Sequence, residues 1–448
     1  MSHLAHPSSG ERSALTPGFA TKEAFKMPTT ELSTMSTVTT GKVTRSRGTT
    51  GGHTGSSLGG GGYENEEWYH GLLPREDITK LLTQQGHFLV RQTEPRQGQG
   101  MKLVLSVKWN GKAHHFIINE NTGKIYIERY QFDSVNDLIR FYTTRKVPVT
   151  EKSGAQLLIA VPKQDWELRH EQVELGKMLG EGAFGGVYTG VLTIGNDTHK
   201  VAVKVHKGKE LKKDMIKEIC KEARIMRRYE HPNIVRFYGV AIEHEPIMLV
   251  MELVNGGSLD KYLEKKGPSI STNERVSMCY DAAKGLEYLH DKGCIHRDVA
   301  ARNCLVQDGH VKISDFGLSR EMSNHEAKYK LKNLKQKLPI RWLAPETLIT
   351  ASYTTKSDVY SYGIMMWEVF TDGSDPYPGM SVAEVNVQVK NGYRMPPPDN
   401  MPTALRTIMS KHCFPGDPME RWSMTQIRKA LEDLVTGASS KKSRMALA

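Results

Sequence analysis

Regularly spaced apolar residues begin near residue 66, and the stretch before them shows no such pattern. Residues 1–65 are rich in Ser, Thr and Gly and poor in aromatic residues, and residues 56–62 are almost entirely Gly and Ser. Such a segment buries too little apolar surface to offset the entropy lost on ordering. We therefore predict a disordered tail and flexible linker over residues 1–65.

Residues 66–160 alternate between helical and strand-like apolar spacing. The first helical pattern has Pro74 in its first turn, and the second covers residues 134–142, with Val135 and Leu138 on one face. Between them lie strand-like runs at 88–91, 103–109, 115–119 and 125–127. This order predicts a small α+β domain in which two helices flank a central antiparallel sheet.

A second, larger domain is predicted for residues 173–435, after a short linker at 161–172 with Trp166 and Leu168 as apolar anchors. Strand-like runs occupy residues 173–187, 201–204 and 247–251. From Ser258 onward the apolar spacing becomes helical, which predicts a β-rich lobe followed by an α-helical lobe. Residues 436–448 form a short basic tail.

Composition narrows the class of protein only slightly. No apolar run approaches the roughly 18–20 residues that cross a bilayer. The five scattered cysteines indicate a reducing, cytosolic or nuclear compartment, and Met1-Ser2-His3 matches neither a secretory signal nor a myristoylation site. The net charge of +11 is compatible with anionic partners, but on charge alone an evenly basic, solvated surface explains it equally well.

Three polar side chains flank a predicted hairpin in the helical part of the chain. Two strand-like runs, 304–306 and 311–313, are separated by the turn Asp308-Gly309. A tight turn brings the outer ends of its strands together, so Asp298, Asn303 and Asp315 should lie close to one another. Their oxygen atoms suit Mg²⁺ and a hydroxyl nucleophile. The alternative is a hairpin with exposed acids at its ends.

A glycine-rich turn lies in the first strand-like run of the larger domain, with Gly180, Gly182 and Gly185 in G-x-G-x-x-G spacing. This motif alone is weak evidence, because dinucleotide-binding folds share it. In those folds the turn opens into a helix, whereas here it opens into the strand-like pair Val187-Tyr188. The sequence therefore favours a hairpin that covers phosphates.

Lys204 ends an apolar strand, and Glu222 falls on the apolar stripe of a helix predicted at about 212–229. A carboxylate on a buried face needs a partner, and we predict that Lys204 is that partner. The alternative is a surface glutamate on a helix of different phase.

Arg91 stands in the apolar strand at 88–91. A guanidinium there is costly unless an anion meets it, and arginine suits bidentate phosphate binding. For a lone arginine in a strand, a structural ion pair is the competing explanation.

The motifs His296-Arg297-Asp298 with Asn303, and Asp315-Phe316-Gly317, resemble the catalytic and metal loops of protein kinases. Ala300-Ala301-Arg302 resembles the tyrosine-kinase version, since serine/threonine kinases usually have a lysine where this chain has Ala300. The resemblance implies a bilobal kinase fold with a β-rich N-lobe and an α-helical C-lobe.

The kinase resemblance also implies residue roles and cofactors. Asp298 would accept or orient the tyrosine hydroxyl proton, Arg302 would steady it, and Lys204, held by Glu222, would fix the ATP phosphates. Asn303 and Asp315 would bind Mg²⁺, or Mn²⁺ in its place. The implied ATP site, with Met251 as gatekeeper, comprises Leu179, Gly180, Glu181, Gly182, Ala183, Phe184, Gly185, Val187, Ala202, Lys204, Met251, Glu252 and Val254.

Residues 66–160 resemble an SH2 domain along their whole length, on Trp68-Tyr69-His70-Gly71, Phe88-Leu89-Val90-Arg91 and His115-Phe116. The resemblance implies that Arg91, Arg75, Thr93 and His115 bind phosphotyrosine. Gln92 departs from the acidic residue usual in the family, and the loop that it opens, residues 92–100, is slightly long.

Residues 66–435 together resemble the SH2–kinase half of the Fes/Fer non-receptor tyrosine kinases. The shared motifs include His231-Pro-Asn-Ile-Val235 and Met251-Glu-Leu-Val254, and Tyr329 matches the activation-loop tyrosine. The sequence differs from the family pattern in its N-terminal segment, where the 65-residue tail stands in place of the family's membrane-binding module.

This resemblance implies a cytoplasmic tyrosine kinase that uses ATP and is recruited and regulated through phosphotyrosine-containing proteins, including activated receptors at the plasma membrane. The lysines around Tyr329 suggest acidic protein substrates, and no specific nucleic-acid binding is expected. Two alternatives remain: an inactive pseudokinase, and a phosphotyrosine-binding adaptor. The pseudokinase is disfavoured because every expected catalytic position holds the expected residue.

Overall fold

The computed structural model describes residues 62–96, 98–182, 185–206, 213–322, 328–330 and 338–437. Most of the predicted disordered tail and most of the basic C-terminal tail lie outside these residues, as do Ala183 and Phe184 of the glycine-rich turn. No helix in the described ranges is long and apolar enough to cross a membrane.

The first domain has a central sheet with a helix on either side, as predicted. Its elements are α1 (Arg75–Leu81), β1 (His87–Thr93), β2 (Lys102–Trp109), β3 (Lys112–Ile117), β4 (Asn119–Asn121), β5 (Lys124–Tyr126), β6 (Gln131–Phe132), α2 (Val135–Arg145) and β7 (Ile159–Ala160). The main sheet has the order β3-β2-β1-β7, with β1 and β2 antiparallel. Phe88 and Leu105 of this sheet pack with Leu138 and Tyr142 of α2 in one buried core.

The β-rich lobe of the second domain is a six-stranded sheet with one helix. Its elements are β8 (Glu167–Leu168), β9 (Val173–Gly182), β10 (Gly185–Ile194), β11 (Asp197–His206), α3 (Lys213–Met226), β12 (Phe237–Ala241) and β13 (Ile247–Glu252). The strand order is β8-β12-β13-β11-β10-β9. β8 comes from the predicted linker and pairs parallel to β12 at the edge of this sheet.

The helical lobe contains α4 (Leu259–Lys266), α5 (Thr272–Asp291), α6 (Pro345–Thr350), α7 (Thr355–Phe370), α8 (Val382–Lys390), α9 (Thr403–Thr407) and α10 (Met424–Val435). Short strand pairs join β14 (Cys294–Ile295) to β17 (Arg320–Glu321), β15 (Cys304–Gln307) to β16 (His310–Ile313) and β18 (Tyr329–Lys330) to β19 (Ser352–Tyr353). Every residue of α7 from Ser357 onward is buried. This central helix therefore anchors the loops packed around it.

The predicted hairpin after Asn303 is present. β15 and β16 are antiparallel, with Gln307 opposite His310. The two residues between them, Asp308 and Gly309, both have positive φ, at 51° and 83°, as a two-residue hairpin turn requires.

The first domain packs directly on the β-rich lobe. Ile78 of α1 shares a buried cluster with Ile216 and Ile219 of α3 and with Ile242. The Leu72 amide donates to the Ile242 carbonyl at 2.9 Å. The ring of His70 is enclosed between the Glu167 carboxylate and the Val161 carbonyl, both 2.9 Å from a ring nitrogen. A shared apolar cluster and buried polar contacts therefore join the two domains.

Candidate functional site

The contact predicted between Lys204 and Glu222 is present at the back of the cleft. Lys204 Nζ in β11 lies 2.8 Å from Glu222 Oε1 and 3.0 Å from Oε2. Glu222 is 6% exposed, on the buried face of α3. Burial disfavours the charged ammonium, but the Glu222 and Asp315 carboxylates more than offset this and raise the pKa of Lys204. The lysine is thus held as a cation that faces the cleft.

The loop between β14 and β15 carries Asp298, Arg302 and Asn303. The Arg302 guanidinium contacts the Asp298 carboxylate, and Asn303 Nδ2 donates to the Asp298 carbonyl at 2.8 Å. Burial raises the pKa of Asp298, and the nearby Arg302 partly opposes this effect. The Arg302 guanidinium also lies 4.0 Å from the Trp342 ring centre. Asp298 is therefore held as a partly buried carboxylate with a fixed cationic neighbour.

Asp358 of α7 fixes the backbone of this loop by accepting hydrogen bonds from it. Its two carboxylate oxygens accept from the His296 amide at 2.7 Å and the Arg297 amide at 2.8 Å. Asp358 is 1% exposed, so these bonds form where water does not compete. Arg297 has a φ of 71°, a conformation that costs energy for a non-glycine residue. The two hydrogen bonds that the backbone amides donate to Asp358 help to maintain it.

The Asp315-Phe316-Gly317 segment turns its carboxylate toward Lys204. Asp315 Oδ1 accepts from the Gly317 amide at 3.2 Å, and Phe316 is fully buried with its ring beside those of His296 and Tyr229. Burial would raise the pKa of Asp315, but the cationic Lys204 lowers it overall. The carboxylate is therefore ionised near neutral pH.

A divalent cation fits the oxygen atoms at this point. Asn303 uses its Nδ2 on the Asp298 carbonyl, which leaves its amide oxygen as an acceptor. The Asn303 backbone carbonyl accepts from the amide of Ser314, the residue before the ionised Asp315, at 2.9 Å. Within the described residues no cluster of three or more His, Cys, Asp or Glu forms a metal cage. Mg²⁺ is commonly bound by one or two such protein oxygens together with substrate phosphates, so this small donor set suits it.

The glycine-rich hairpin is formed by β9 and β10, with Gly185 opposite Gly182. A Cβ on Gly185 would lie 2.0 Å from the Val205 carbonyl oxygen, and its φ is 144°, so glycine is required there. Leu179 is exposed on β9. Ala183 and Phe184, predicted to contact ATP, lie outside the described residues.

The strands behind the hairpin carry the other predicted nucleotide residues. Ala202 of β11 is paired with Met251 of β13. At the end of β13, the Glu252 carboxylate accepts from Lys312 Nζ at 2.8 Å. This bond holds the segment that connects the two lobes against β16. Lys312 was not predicted from the sequence, because its partner is remote in the chain. Val254 is buried just beyond.

The four residues predicted to bind phosphotyrosine line one cavity of about 390 Å³: Arg75, Arg91, Thr93 and His115. Arg91 is 6% exposed, and its Nε has no hydrogen-bond partner in the described structure. Burial, together with Arg75, lowers the pKa of Arg91 to about 10. His115 Nδ1 lies 2.9 Å from Ser106 Oγ, and burial lowers its pKa to about 4. The cavity thus presents cationic and neutral donors.

Tyr329 lies in β18, opposite Tyr353. The Arg297 guanidinium is 4.8 Å from the Tyr329 ring centre, and that of Arg320 is 5.6 Å away. The sequence predicted positive charge here from Arg297 and the lysines around Tyr329. The structure places Arg297 and also Arg320 beside the ring, and Lys332, Lys335 and Lys337 lie outside the described residues.

Comparison with known proteins agrees with this architecture. The family model described as "Protein tyrosine and serine/threonine kinase" matches residues 173–431, and the model described as "SH2 domain" matches residues 68–142. The fold and the site define a protein kinase joined to an SH2 domain.

The relatives of the chain narrow that class. Tyrosine-protein kinase Fer of Homo sapiens is 42% identical over 368 residues, or 82% of this chain and 43% of that protein. The transforming protein Fps of avian sarcoma virus (strain PRCII) is 40% identical over 82% of this chain and 67% of its own length. Fer-related kinase 1 of Caenorhabditis elegans is 37% identical over 82% of this chain and 93% of its own length.

The chain belongs to the Fer/Fps family of tyrosine-protein kinases with an SH2 domain, and the predicted resemblance to the Fes/Fer kinases is confirmed. It spans about 43% of the length of the Fer proteins that it matches.

Proposed function

We propose that this chain is a non-receptor protein tyrosine kinase that transfers the γ-phosphoryl group of ATP to protein tyrosines. The observation that carries the proposal is the intact Lys204–Glu222 contact, 2.8 Å long, in the same cleft as Asp298 and Asp315. A kinase needs both the lysine–glutamate pair and the metal-binding aspartate in place.

Each side chain has a defined task in this proposal. Asp298 accepts or orients the proton of the tyrosine hydroxyl, since its carboxylate is partly buried beside Arg302. Lys204 neutralises phosphate charge, and the glycine hairpin covers the phosphates with backbone amides. The base of ATP binds between Ala202, Met251 and the backbone at Glu252 and Val254. Ala300, where serine/threonine kinases usually have a lysine, supports tyrosine as the acceptor.

We propose that Asn303 and Asp315 hold the divalent cation. Mg²⁺, or Mn²⁺, would neutralise the charge that develops on the transferred phosphoryl group. The protein keeps Asp315 ionised through Lys204 and orients Asn303 through its bond to the Asp298 carbonyl.

The SH2 domain would bind phosphotyrosine-containing proteins, among them activated receptors. Arg91 supports this role because its guanidinium is buried, with Nε lacking a partner in the described residues, and a phosphate dianion would satisfy it. We propose acidic protein substrates, on the basis of the arginines beside Tyr329. We also propose a cytoplasmic location with recruitment to receptors, supported by five free, buried cysteines.

The test is phosphate incorporation into a poly(Glu,Tyr) polymer with Mg²⁺-ATP. Asp298→Asn should lower the rate by about 10²–10⁴-fold, which is the usual contribution of a general base. A second candidate function, a phosphotyrosine-binding scaffold, is favoured by Arg91 alone. No incorporation by the wild-type chain, even after an active tyrosine kinase has phosphorylated Tyr329, would support the scaffold and contradict the kinase.

A further inference from the structure

The cavity that contains Arg91 has a second wall that the SH2 domain does not supply. Lys213, Ile216 and Lys217, all from the kinase helix α3, line it. Lys213 Nζ donates to the Glu94 carbonyl at 3.0 Å. Glu94 directly follows Thr93 in the loop after β1. The kinase helix is therefore in direct contact with the loop expected to hold the phosphate.

The charges around the cavity are unequal. Its four cationic side chains are Arg75 and Arg91 of the SH2 domain and Lys213 and Lys217 of the kinase domain, against the two acids Glu76 and Glu94. The Glu94 carboxylate is engaged in a hydrogen bond within its own loop, since its Oε1 accepts from the Gly98 amide at 2.6 Å. Half of the positive charge thus comes from the kinase domain.

Two unpartnered side-chain nitrogens in the cavity favour an anion as its ligand. Arg91 is 94% buried, and neither its Nε nor His115 Nε2 has a hydrogen-bond partner in the part of the chain that the structure describes. A buried donor without a partner costs free energy. A phosphate oxygen in the cavity would remove that cost and would form charge-assisted bonds.

Lys217 forms a solvent-exposed ion pair within α3 itself. Its side chain is 40% exposed, and its ion-pair partner is Asp214, which is 92% exposed, at 3.1 Å. An exposed pair of this kind contributes little. Lys217 can therefore exchange Asp214 for an acidic group of a bound peptide at little cost.

We propose that Lys213 and Lys217 of the kinase domain form part of the phosphotyrosine site, which therefore binds phosphotyrosine in an acidic sequence more tightly than the SH2 residues alone would. This inference rests on the proposed function of the SH2 domain. In this proposal both domains contribute residues to the site, because the two lysines lie on the kinase helix that also carries Glu222 and Arg224.

The test uses the full chain and a fluorescent peptide that carries one phosphotyrosine followed by glutamates, with binding measured by anisotropy. Lys213→Ala/Lys217→Ala should weaken binding roughly 3- to 20-fold at low salt. The loss should shrink as salt is added, because screening removes it. The control Lys411→Ala/Lys429→Ala changes the net charge equally but alters exposed lysines of the helical lobe, and it should bind like the wild type.

The possible results distinguish a failure of the composite site from a failure of phosphotyrosine binding by the SH2 domain. Equal affinity and equal salt dependence in wild type and Lys213→Ala/Lys217→Ala, with binding lost in Arg91→Ala, would overturn the composite site and leave the SH2 function standing. A wild-type chain that binds the phosphorylated peptide no better than its unphosphorylated form would instead contradict the SH2 function. Matched melting temperatures would show that the lysine variants are folded.

Discussion

Arg224 of the kinase helix α3 and Asp77 of the SH2 helix α1 form a two-point ion pair, with Nε 2.7 Å from Oδ1 and Nη2 2.6 Å from Oδ2. Glu222, two residues earlier on α3, contacts Lys204. Residues two positions apart lie on nearly opposite faces of a helix. One face of α3 is therefore held by the SH2 domain while the other holds the lysine of the cleft.

Loss of the Asp77 carboxylate should loosen α3 and slow the kinase. Asp77→Ala leaves Arg224, whose side chain is only 17% exposed, without its partner, and breaking such a pair costs about 3 kcal/mol. We expect a severalfold fall in kcat on poly(Glu,Tyr) and a lower melting temperature. Asp77→Leu/Arg224→Met replaces both charges with apolar groups and should recover most of the stability. Full activity in Asp77→Ala would show that α3 does not need this support.

The pH–rate profile should reflect the environment of Asp298. Because burial raises the pKa of this carboxyl group, protonation begins at a higher pH than for an exposed aspartate. The carboxylate is the active form, so kcat/KM should fall as pH decreases through this raised pKa. Arg302→Gln removes the positive charge that opposes the rise in the pKa of Asp298. This variant should move the acidic limb of the pH–rate profile to still higher pH and lower the maximum kcat/KM. An acidic limb at the same pH in Arg302→Gln would contradict this electrostatic account.

Phosphorylation of Tyr329 should raise activity. A phosphate adds about −1.5 to −2 charges beside Arg297 and Arg320. The Arg297 guanidinium lies 4.8 Å from the Tyr329 ring centre and 4.1 Å from that of Tyr353, so it can donate to the new phosphate. Preincubation with ATP should therefore activate the wild type but not Tyr329→Phe. Tyr393→Phe, which changes an exposed tyrosine of the helical lobe, serves as the control for loss of a tyrosine hydroxyl. Equal activation of Tyr329→Phe would exclude Tyr329 as the switch.

Glu368 should make stability depend on pH. Burial raises its pKa to about 7, against the opposing effect of bonds from the Trp342 indole and the Ala301 amide. Between pH 5 and about 7 the unfolded chain releases this proton while the folded chain keeps it, so stability falls as pH rises. Glu368→Gln keeps an acceptor and does not titrate. Its melting temperature should decline less than that of the wild type from pH 5 to 8. Parallel curves would show that Glu368 is not the group responsible.

The elements of the fold were predictable where the apolar spacing is regular. The period of α3 alone predicted that Glu222 is buried, and the turn residues Asp308-Gly309 predicted the β15–β16 hairpin. The same signal, a charge on an apolar face, is present at Asp77 beside Ile78 and could have identified it as a partnered carboxylate. Its partner, Arg224, could not be predicted because it lies in another domain.

The candidate catalytic positions followed from motifs, whereas their surroundings depend on tertiary contacts. No local pattern shows that Lys312 holds Glu252, or that Glu368 lies under the Ala301 amide. The two arginines beside Tyr329, Arg297 and Arg320, come from two separate parts of the chain. Such contacts between residues remote in sequence are set by packing, which hydrophobic spacing does not encode.

The segment from Ile159 to Leu168 contributes one strand to each of two sheets. Ile159–Ala160 pairs with β1 of the SH2 domain, and Glu167–Leu168 pairs with β12 of the kinase. A gene rearrangement that joined a foreign domain at this point would remove an edge strand from one side or the other and uncover the backbone beneath it. Most tandem domains can be recombined during evolution like independent modules. In this chain, an exchange of either domain would leave an open sheet edge, so the two domains would be exchanged without loss of pairing only as one unit.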